Sequence, residues 1–271
     1  MSDHIEMGPA DGEDAAAIVD IIREGFDPDI VDMFIYGCPG MREYVAAQIE
    51  AGPRCDTRYT VARSRSDGRV VGAVEFRLLP RSLFLNYIAV GKAARAAGLG
   101  RRLLLAATRD CARPTHTEMA LDVLEHNQIA RSWYERIGFA VRASTEWWAL
   151  RSCVSDQALL SGPLLRQAAA AAASQRAFGF SQFVLDLGDR EVTIGRMGSR
   201  WFRITDASAL TLDVLSLLHE LDPDRSVLAL LPAGSAAPAQ LGGRLAAKTL
   251  RMTAALAPLL ERLETTSPEA H

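Results

Sequence analysis

The stretch richest in chemistry begins at Tyr87-Ile88-Ala89-Val90, passes through Gly91 to Ala94, and continues as Arg95-Ala96-Ala97-Gly98-Leu99-Gly100-Arg101-Arg102-Leu103-Leu104. Its first part reads as a strand and its last part as a helix, with glycines between them. A helix start offers unpaired backbone N–H groups and the positive end of the helix dipole, which is what a pyrophosphate needs. Gly98 and Gly100 let the backbone approach such a ligand closely, and Lys92, Arg101 and Arg102 add positive charge. The same glycines equally suit a tight turn with no ligand, so this pattern alone leaves both readings open. Two other phosphate loops fit less well. A Walker loop requires Gly-Lys-Ser/Thr, whereas Gly100 is followed by two arginines; a dinucleotide loop requires a third glycine where Leu103 stands.

A second constellation lies downstream: Leu121-Asp122-Val123, Asn127, Ala130, Trp133-Tyr134-Glu135 and Gly138-Phe139. The Tyr134 phenol can donate a proton, and Asp122 or the earlier Glu75 can accept one. Each also has a plainer reading: a helix tyrosine packed on a sheet, a strand-end carboxylate in a polar contact, a solvated strand residue. His126 reads as a surface histidine. Of Trp147 and Trp148, one is expected in the core, with the other free to wall a pocket. Asp27, Asp29 and Asp32 form an acidic loop that is either simply solvated or attracts a cationic amine.

The elements that must position these residues follow from hydrophobic periodicity. Ile5–Met7 reads as a short strand. Asp11–Phe26 reads as a helix, with Asp11 its cap and Ala15, Ile18, Val19 and Ile22 on one face. Pro39–Ala51 is a second helix with proline in its first turn. Arg58–Arg63 and Arg69–Leu79 are strands joined by a Ser66-Asp67-Gly68 turn, and Leu83–Val90 is the strand that feeds the glycines. A helix over Gly98–Cys111, a strand over Met119–Leu124 and a helix over Asn127–Ile137, stopped by Gly138, follow. Phe139–Val141 and Trp147–Leu150 are expected to pair as a closing hairpin, and Ser155–Ala177 to form a linker helix. Beyond it come strands at Phe180–Leu187, Glu191–Arg196 and Arg200–Ile204, an apolar helix at Leu210–Leu221, a buried strand at Val227–Leu231, and a basic, alanine-rich segment from Arg244 to Leu263.

The chain has 271 residues, of which 49% are hydrophobic and 23% charged, enough for two modest domains without disulfide or metal staples. A net charge of −3 supplies no basic face for counterion release and disfavours nucleic-acid binding. The four cysteines, Cys38, Cys55, Cys111 and Cys153, form no Cys-x-x-Cys pair and read as scattered thiols, with no metal implied. No signal-like or membrane-length apolar run is found, so a cytoplasmic location is expected.

Arg95, Gly98 and Gly100 resemble motif A of the GNAT superfamily of N-acetyltransferases, and Asn127, Ala130, Tyr134 and Gly138-Phe139 resemble its motif B, in the family's order and separation. The resemblance covers about residues 1–150. It implies an α/β (mixed α+β) fold with a central mixed, mostly antiparallel sheet flanked by helices, and acyl-CoA lying between the strands at Leu83–Val90 and Met119–Leu124. The implied cofactor contacts are Ile88, Ala89, Val90, Arg95, Ala96, Ala97, Gly98, Leu99, Gly100, Arg101, Asn127, Ala130 and Tyr134, with the N–H near Val90 aimed at the thioester carbonyl. Tyr134 stands at the position of the family's general acid. The fourth-strand glutamate that many members use as base is missing from Phe84-Leu85-Asn86-Tyr87. Asp122 resembles a fifth-strand glutamate of ribosomal-protein alanine acetyltransferases; Glu75 and a water chain are the other candidates.

The second half looks like a degenerate GNAT repeat: three strands, a helix, a strand, and a closing strand over Lys248–Ala254. No Gly-x-Gly follows Trp201–Ile204, so this half is not expected to bind CoA in the family's way. It also loosely resembles the leader-binding modules of peptide-modifying enzymes. The expected domains are a catalytic acyl-CoA-binding domain over 1–152, a linker helix over 153–177 and a smaller α+β domain over 178–271. The expected function is N-acyl transfer, acetyl by default, from acyl-CoA to a primary amine of a small molecule or peptide, by direct attack in a ternary complex. No metal, nucleic-acid or membrane partner is expected, and a monomer or homodimer is. The alternatives are a non-catalytic CoA-binding sensor or scaffold, and a peptide-tailoring acyltransferase whose C-terminal domain recognises the peptide.

Overall fold

The computed structural model describes residues 4–95, 98–151 and 164–265. These form two compact units, each drawn from separate stretches of the chain. The first comprises, as far as described, Met1–Asp27, Arg42–Arg142 and Leu250–His271; the second comprises Pro28–Met41 and Ala143–Thr249.

In the first unit, strand β1 (Ile5–Pro9) leads to helix α1 (Ala15–Arg23), whose Ala15, Ile18, Val19 and Ile22 are buried as their spacing requires. Asp11 caps the short 3₁₀ turn Gly12–Asp14 that precedes α1, in a capping box completed by Asp14. Helix α2 (Met41–Ala51) starts two residues after Pro39, so the proline precedes the helix instead of sitting in its first turn. Strands β2 (Thr57–Ser64), β3 (Val70–Leu78) and β4 (Ser82–Val90) form an antiparallel meander. Helix α3 (Leu99–Cys111) then crosses to β5 (Glu118–Leu124), which runs parallel to β4, and helix α4 (Gln128–Arg136) follows. Gly138, at φ +104°, takes the left-handed turn after α4 that a side chain would resist.

The expected closing hairpin is absent. Strand β6 (Ala140–Arg151) runs through all twelve residues unbroken. Its middle, Arg142-Ala143-Ser144-Thr145, has no glycine, proline or asparagine to turn the chain. The place beside β5 is filled instead by the far end of the sequence.

The second unit contains two 3₁₀ turns within residues 28–41, most of β6, then β7 (Leu164–Arg166), α5 (Ala168–Phe178), β8 (Phe180–Asp186), β9 (Glu191–Met197), β10 (Trp201–Ile204), α6 (Leu212–Leu221), β11 (Ser226–Pro232) and the short α7 (Ala237–Gln240). Of the expected linker helix over Ser155–Ala177, the described residues are helical from Ala168 to Phe178. Leu164–Arg166 pairs antiparallel with β8, where Arg166 meets Asp186 at 2.6 Å, and residues 152–163 lie outside the described part. Within this unit the sheet order is β6-β11-β10-β9-β8-β7. The order α5-β8-β9-β10-α6-β11 repeats that of α2-β2-β3-β4-α3-β5, including a parallel strand pair on either side of a helix.

Strand β12 (Arg244–Ala255) and helix α8 (Leu256–Thr265) close the chain. From Leu250 onward they belong to the first unit, whose sheet order is β1-β2-β3-β4-β5-β12. Leu250, Met252, Ala254, Leu256, Leu259 and Leu263 join Phe76, Leu83, Leu103 and Met119 in its core. The second core gathers around Phe183, Phe202, Leu215 and Leu218. The result is the expected mixed α/β architecture, with mostly antiparallel sheet flanked by helices.

Candidate functional site

Strands β4 and β5 pair only from Ser82↔Glu118 to Leu85↔Leu121. At the same level β4 carries a bulge: Glu75↔Tyr87 on β3 is followed by Phe76↔Leu85, so Asn86 is the extra residue. Beyond it, Tyr87–Val90 remain paired to β3 while their other edge is released from β5. The alternation of the ladder fixes what faces the gap. The Gly91 N–H donates to the Val71 C=O at 2.9 Å, so Gly72↔Val90 is a pair whose own N–H and C=O groups point away from each other. The same holds two residues back, at Ile88, whereas Ala89 falls in a pair bonded to β3. Ile88 and Val90 therefore direct N–H donors toward the β5 side.

The strand leads into the glycine turn. Arg95 folds back, its Nε donating to the Val90 C=O at 2.9 Å. Ala96 and Ala97 lie outside the described residues. Gly98 is the N-cap of α3 at φ +68°, which an L side chain rarely adopts, and no side chain caps the helix. Among the described residues, a Cβ at Gly98 would meet no atom within 4 Å, and one at Gly100 would reach Val90 Cγ2 alone, at 3.7 Å. Internal packing therefore does not require these two glycines to lack side chains. Among the described residues the first helical bond runs from the Arg102 N–H to the Gly98 C=O, and the N–H groups of Leu99, Gly100 and Arg101 precede it. The first turn holds no acidic residue. The Leu99 side chain is core. The Arg101 guanidinium serves α8, donating to the carbonyls of Arg262 (3.2 Å) and Leu263 (2.6 Å). Arg101 thus offers the turn its backbone N–H, with its side-chain charge committed elsewhere.

Across the gap, Asn127 caps α4, its Oδ1 accepting from the Ala130 N–H at 3.1 Å. Tyr134 is 8% exposed and packs on Trp133 and Phe139, with ring centroids at 4.9 and 5.6 Å. Burial pushes its phenol well above the ordinary tyrosine range.

The face of the sheet opposite the core carries a polar row. Glu75, 3% exposed, accepts a 2.5 Å bond from Asn86 Nδ2 on the bulge. The hydroxyl of Tyr44 on α2 is raised by burial and then by the charge of Glu75. On β5, Asp122 is gripped by Arg251 of β12, Nε to Oδ1 at 2.5 Å and Nη2 to Oδ2 at 2.8 Å. The structure thus brings Glu75 and Asp122 to one face, each with a side-chain partner. Asn86 carries no motif signal of its own, and Arg251 lies 129 positions from Asp122, beyond the reach of any local pattern.

The remaining candidates resolve simply. His126 is exposed. Trp147 is buried against Phe34 at 4.9 Å, with its indole N–H on Thr249, and Trp148 is half-buried at the edge of the second core. Asp32 pairs with Arg200 at 2.7 Å. Among the described residues no cluster of His, Cys, Asp and Glu is placed to hold a metal, and no helix is long and apolar enough to cross a membrane.

The model of the acetyltransferase (GNAT) family matches residues 29–139. The chain contains a GNAT domain. Among solved structures, a tandem GNAT protein from the clavulanic acid biosynthesis pathway aligns over 94% of this chain and 99% of its own, at 15% identity and a TM-score of 0.63. A GCN5-related N-acetyltransferase from Sphaerobacter thermophilus aligns over 94% and 96%, at 14% identity and a TM-score of 0.57. At such identities the likeness is one of fold, and it extends through both units. No curated protein matches the sequence.

Beside the GNAT domain, the repeat in the second unit lacks the features of the glycine turn. Strands β10 and β11 pair along the whole of β10, from Trp201↔Ser226 to Ile204↔Ala229, leaving no released edge. The helix that follows is capped by Thr211, preceded by Asp206 and entered through Asp213. Negative charge at that helix start repels a phosphate.

Proposed function

We propose that the protein is an N-acyltransferase that binds acyl-CoA in the gap between β4 and β5 and passes the acyl group, acetyl by default, to a primary amine. One observation carries the reading: the β4–β5 pairing ends where Ile88 and Val90 turn N–H donors into the gap, directly ahead of an uncapped, glycine-built helix start. The family match supports acyl transfer in general, and the unfilled space at Gly98 and Gly100 suits a close-lying pyrophosphate.

When bound, acyl-CoA supplies a thioester whose carbonyl is open to an amine and whose thiolate departs. The N–H groups of Leu99, Gly100 and Arg101 would hold the pyrophosphate, Asn127 and Ala130 would border the pantetheine arm, and Arg95 would keep the turn folded over Val90. The Val90 N–H donates toward the oxygen on which negative charge develops. Tyr134 donates its phenolic hydrogen toward the thiolate; burial holds that proton on the ring at neutral pH. Glu75, oriented by Asn86, takes the proton the amine must lose. Asp122 has both oxygens on Arg251 and serves as a base only after leaving it.

Calorimetric titration with acetyl-CoA and longer acyl-CoAs tests the site. Saturable binding that Gly98→Glu abolishes is the expected result, because the substitution puts a carboxylate and a strained backbone where a pyrophosphate lies. Equal affinity in that variant would remove the site, and binding without turnover of any amine would favour a CoA sensor.

A further inference from the structure

Phe84 and Asp122 alternate along their strands with the core residues Leu83, Leu85, Leu121 and Val123, and Arg251 lies between the core residues Leu250 and Met252. All three side chains therefore stand on the face opposite the core. Asn86 and Glu75 share that face, since Val74 and Phe76 flank Glu75 in the core. A row of carboxylate, amide, carboxylate and guanidinium thus crosses β3, β4, β5 and β12 at the level where the β4–β5 pairing ends.

The Asp122–Arg251 pair is poorly explained as a stabilising device. Both side chains are substantially exposed, 39% and 45%, and exposed pairs contribute little to a fold. Its geometry is nevertheless well defined: the guanidinium meets the carboxylate with two bonds and lies over the Phe84 ring at 5.0 Å. A stacked planar fork is a receptor for carboxylates.

We propose that Arg251 is the acceptor-recognition residue and that the acceptor is a small amino acid-like molecule carrying a carboxylate close to its primary amine. This rests on the acyl-transfer reading. The acceptor carboxylate replaces Asp122 on the Arg251 fork, one bidentate pair for another. Asp122 is thereby released on the face that carries Glu75, with β4 between them, and the two carboxylates draw the ammonium end to that face before it loses its proton. An amine without a carboxylate leaves the Asp122–Arg251 pair closed and meets only half of this receptor.

The test uses the full chain, acetyl-CoA and a thiol-release assay, with α-, β- and γ-amino acids each compared with its own carboxamide and its decarboxylated amine. Wild type is expected to lose roughly ten- to hundredfold in kcat/KM when the carboxylate is removed, the effect of one charge-assisted bonded pair. Arg251→Gln is expected to raise KM for the amino acid and erase that preference, with an unchanged calorimetric Kd for acetyl-CoA; Arg251→Lys should restore part of it. Equal use of carboxylate-free amines by wild type, a preference that survives Arg251→Gln, or no transfer to any amino acid by protein that binds acetyl-CoA would each overturn the proposal. Absence of acetyl-CoA binding would instead remove the acyl-transfer reading on which it stands.

Discussion

Tyr134 is where packing and chemistry compete most directly. Its ring belongs to the core with Trp133 and Phe139, and burial alone accounts for the upward displacement of its phenol. A phenol held above its ordinary range stays protonated at neutral pH and remains a hydrogen-bond donor, while full transfer to a thiolate, with an ordinary pKa of about 8.5, runs uphill. Tyr134 therefore acts best by stabilising the leaving sulfur. Tyr134→Phe keeps the ring and its packing, so turnover should fall roughly tenfold or more with acetyl-CoA affinity and thermal midpoint nearly unchanged. Steady-state kinetics beside calorimetry checks this; equal turnover would reduce Tyr134 to a core residue. The phenol was legible from motif spacing, but its degree of burial was not, because that depends on which side chains close around it.

At the scale of elements, the far end of the chain builds the first unit. Strand β12 from Leu250 and helix α8 add six buried apolar side chains to its core. The Leu256 N–H donates to the Thr117 C=O at 3.0 Å, and Arg101, in the first turn of α3, caps α8. Each large side chain of this set contributes on the order of 1.5–3 kcal/mol by burial, against a total stability of about 5–15 kcal/mol for a typical domain. A chain ending at Thr249 is accordingly expected to lose cooperative thermal unfolding and acetyl-CoA binding together. The milder Leu259→Ala, at a site 1% exposed, should cost about 2–5 kcal/mol in denaturant unfolding. Full stability of the shortened chain would show that β12 and α8 are accessories.

For the whole molecule, the two repeats differ at the place where acyl-CoA is proposed to bind. The second repeat keeps the order of strands and helices but pairs β10 to β11 without a gap and starts its helix with Thr211 and Asp213 in place of glycine. One acyl-CoA per chain is the expected calorimetric stoichiometry, lost entirely in Gly98→Glu. Two equivalents with residual binding in that variant would assign a site to the second unit.

By itself the sequence determined the local structure. The 3.6-residue periodicity of α1, the glycine turn before α3 and the Gly138 stop each reflect forces acting within a few residues, and the two motifs lie on such local elements. The misplaced closing hairpin marks the limit. Residues 140–151 have extended propensity, but whether they turn back or run on depends on which strand fills the place beside β5. That was decided by residues more than a hundred positions away. The pairing of Arg251 with Asp122 and the commitment of Arg101 to α8 were settled the same way. Such contacts follow from burying apolar faces between distant segments, which no local pattern encodes.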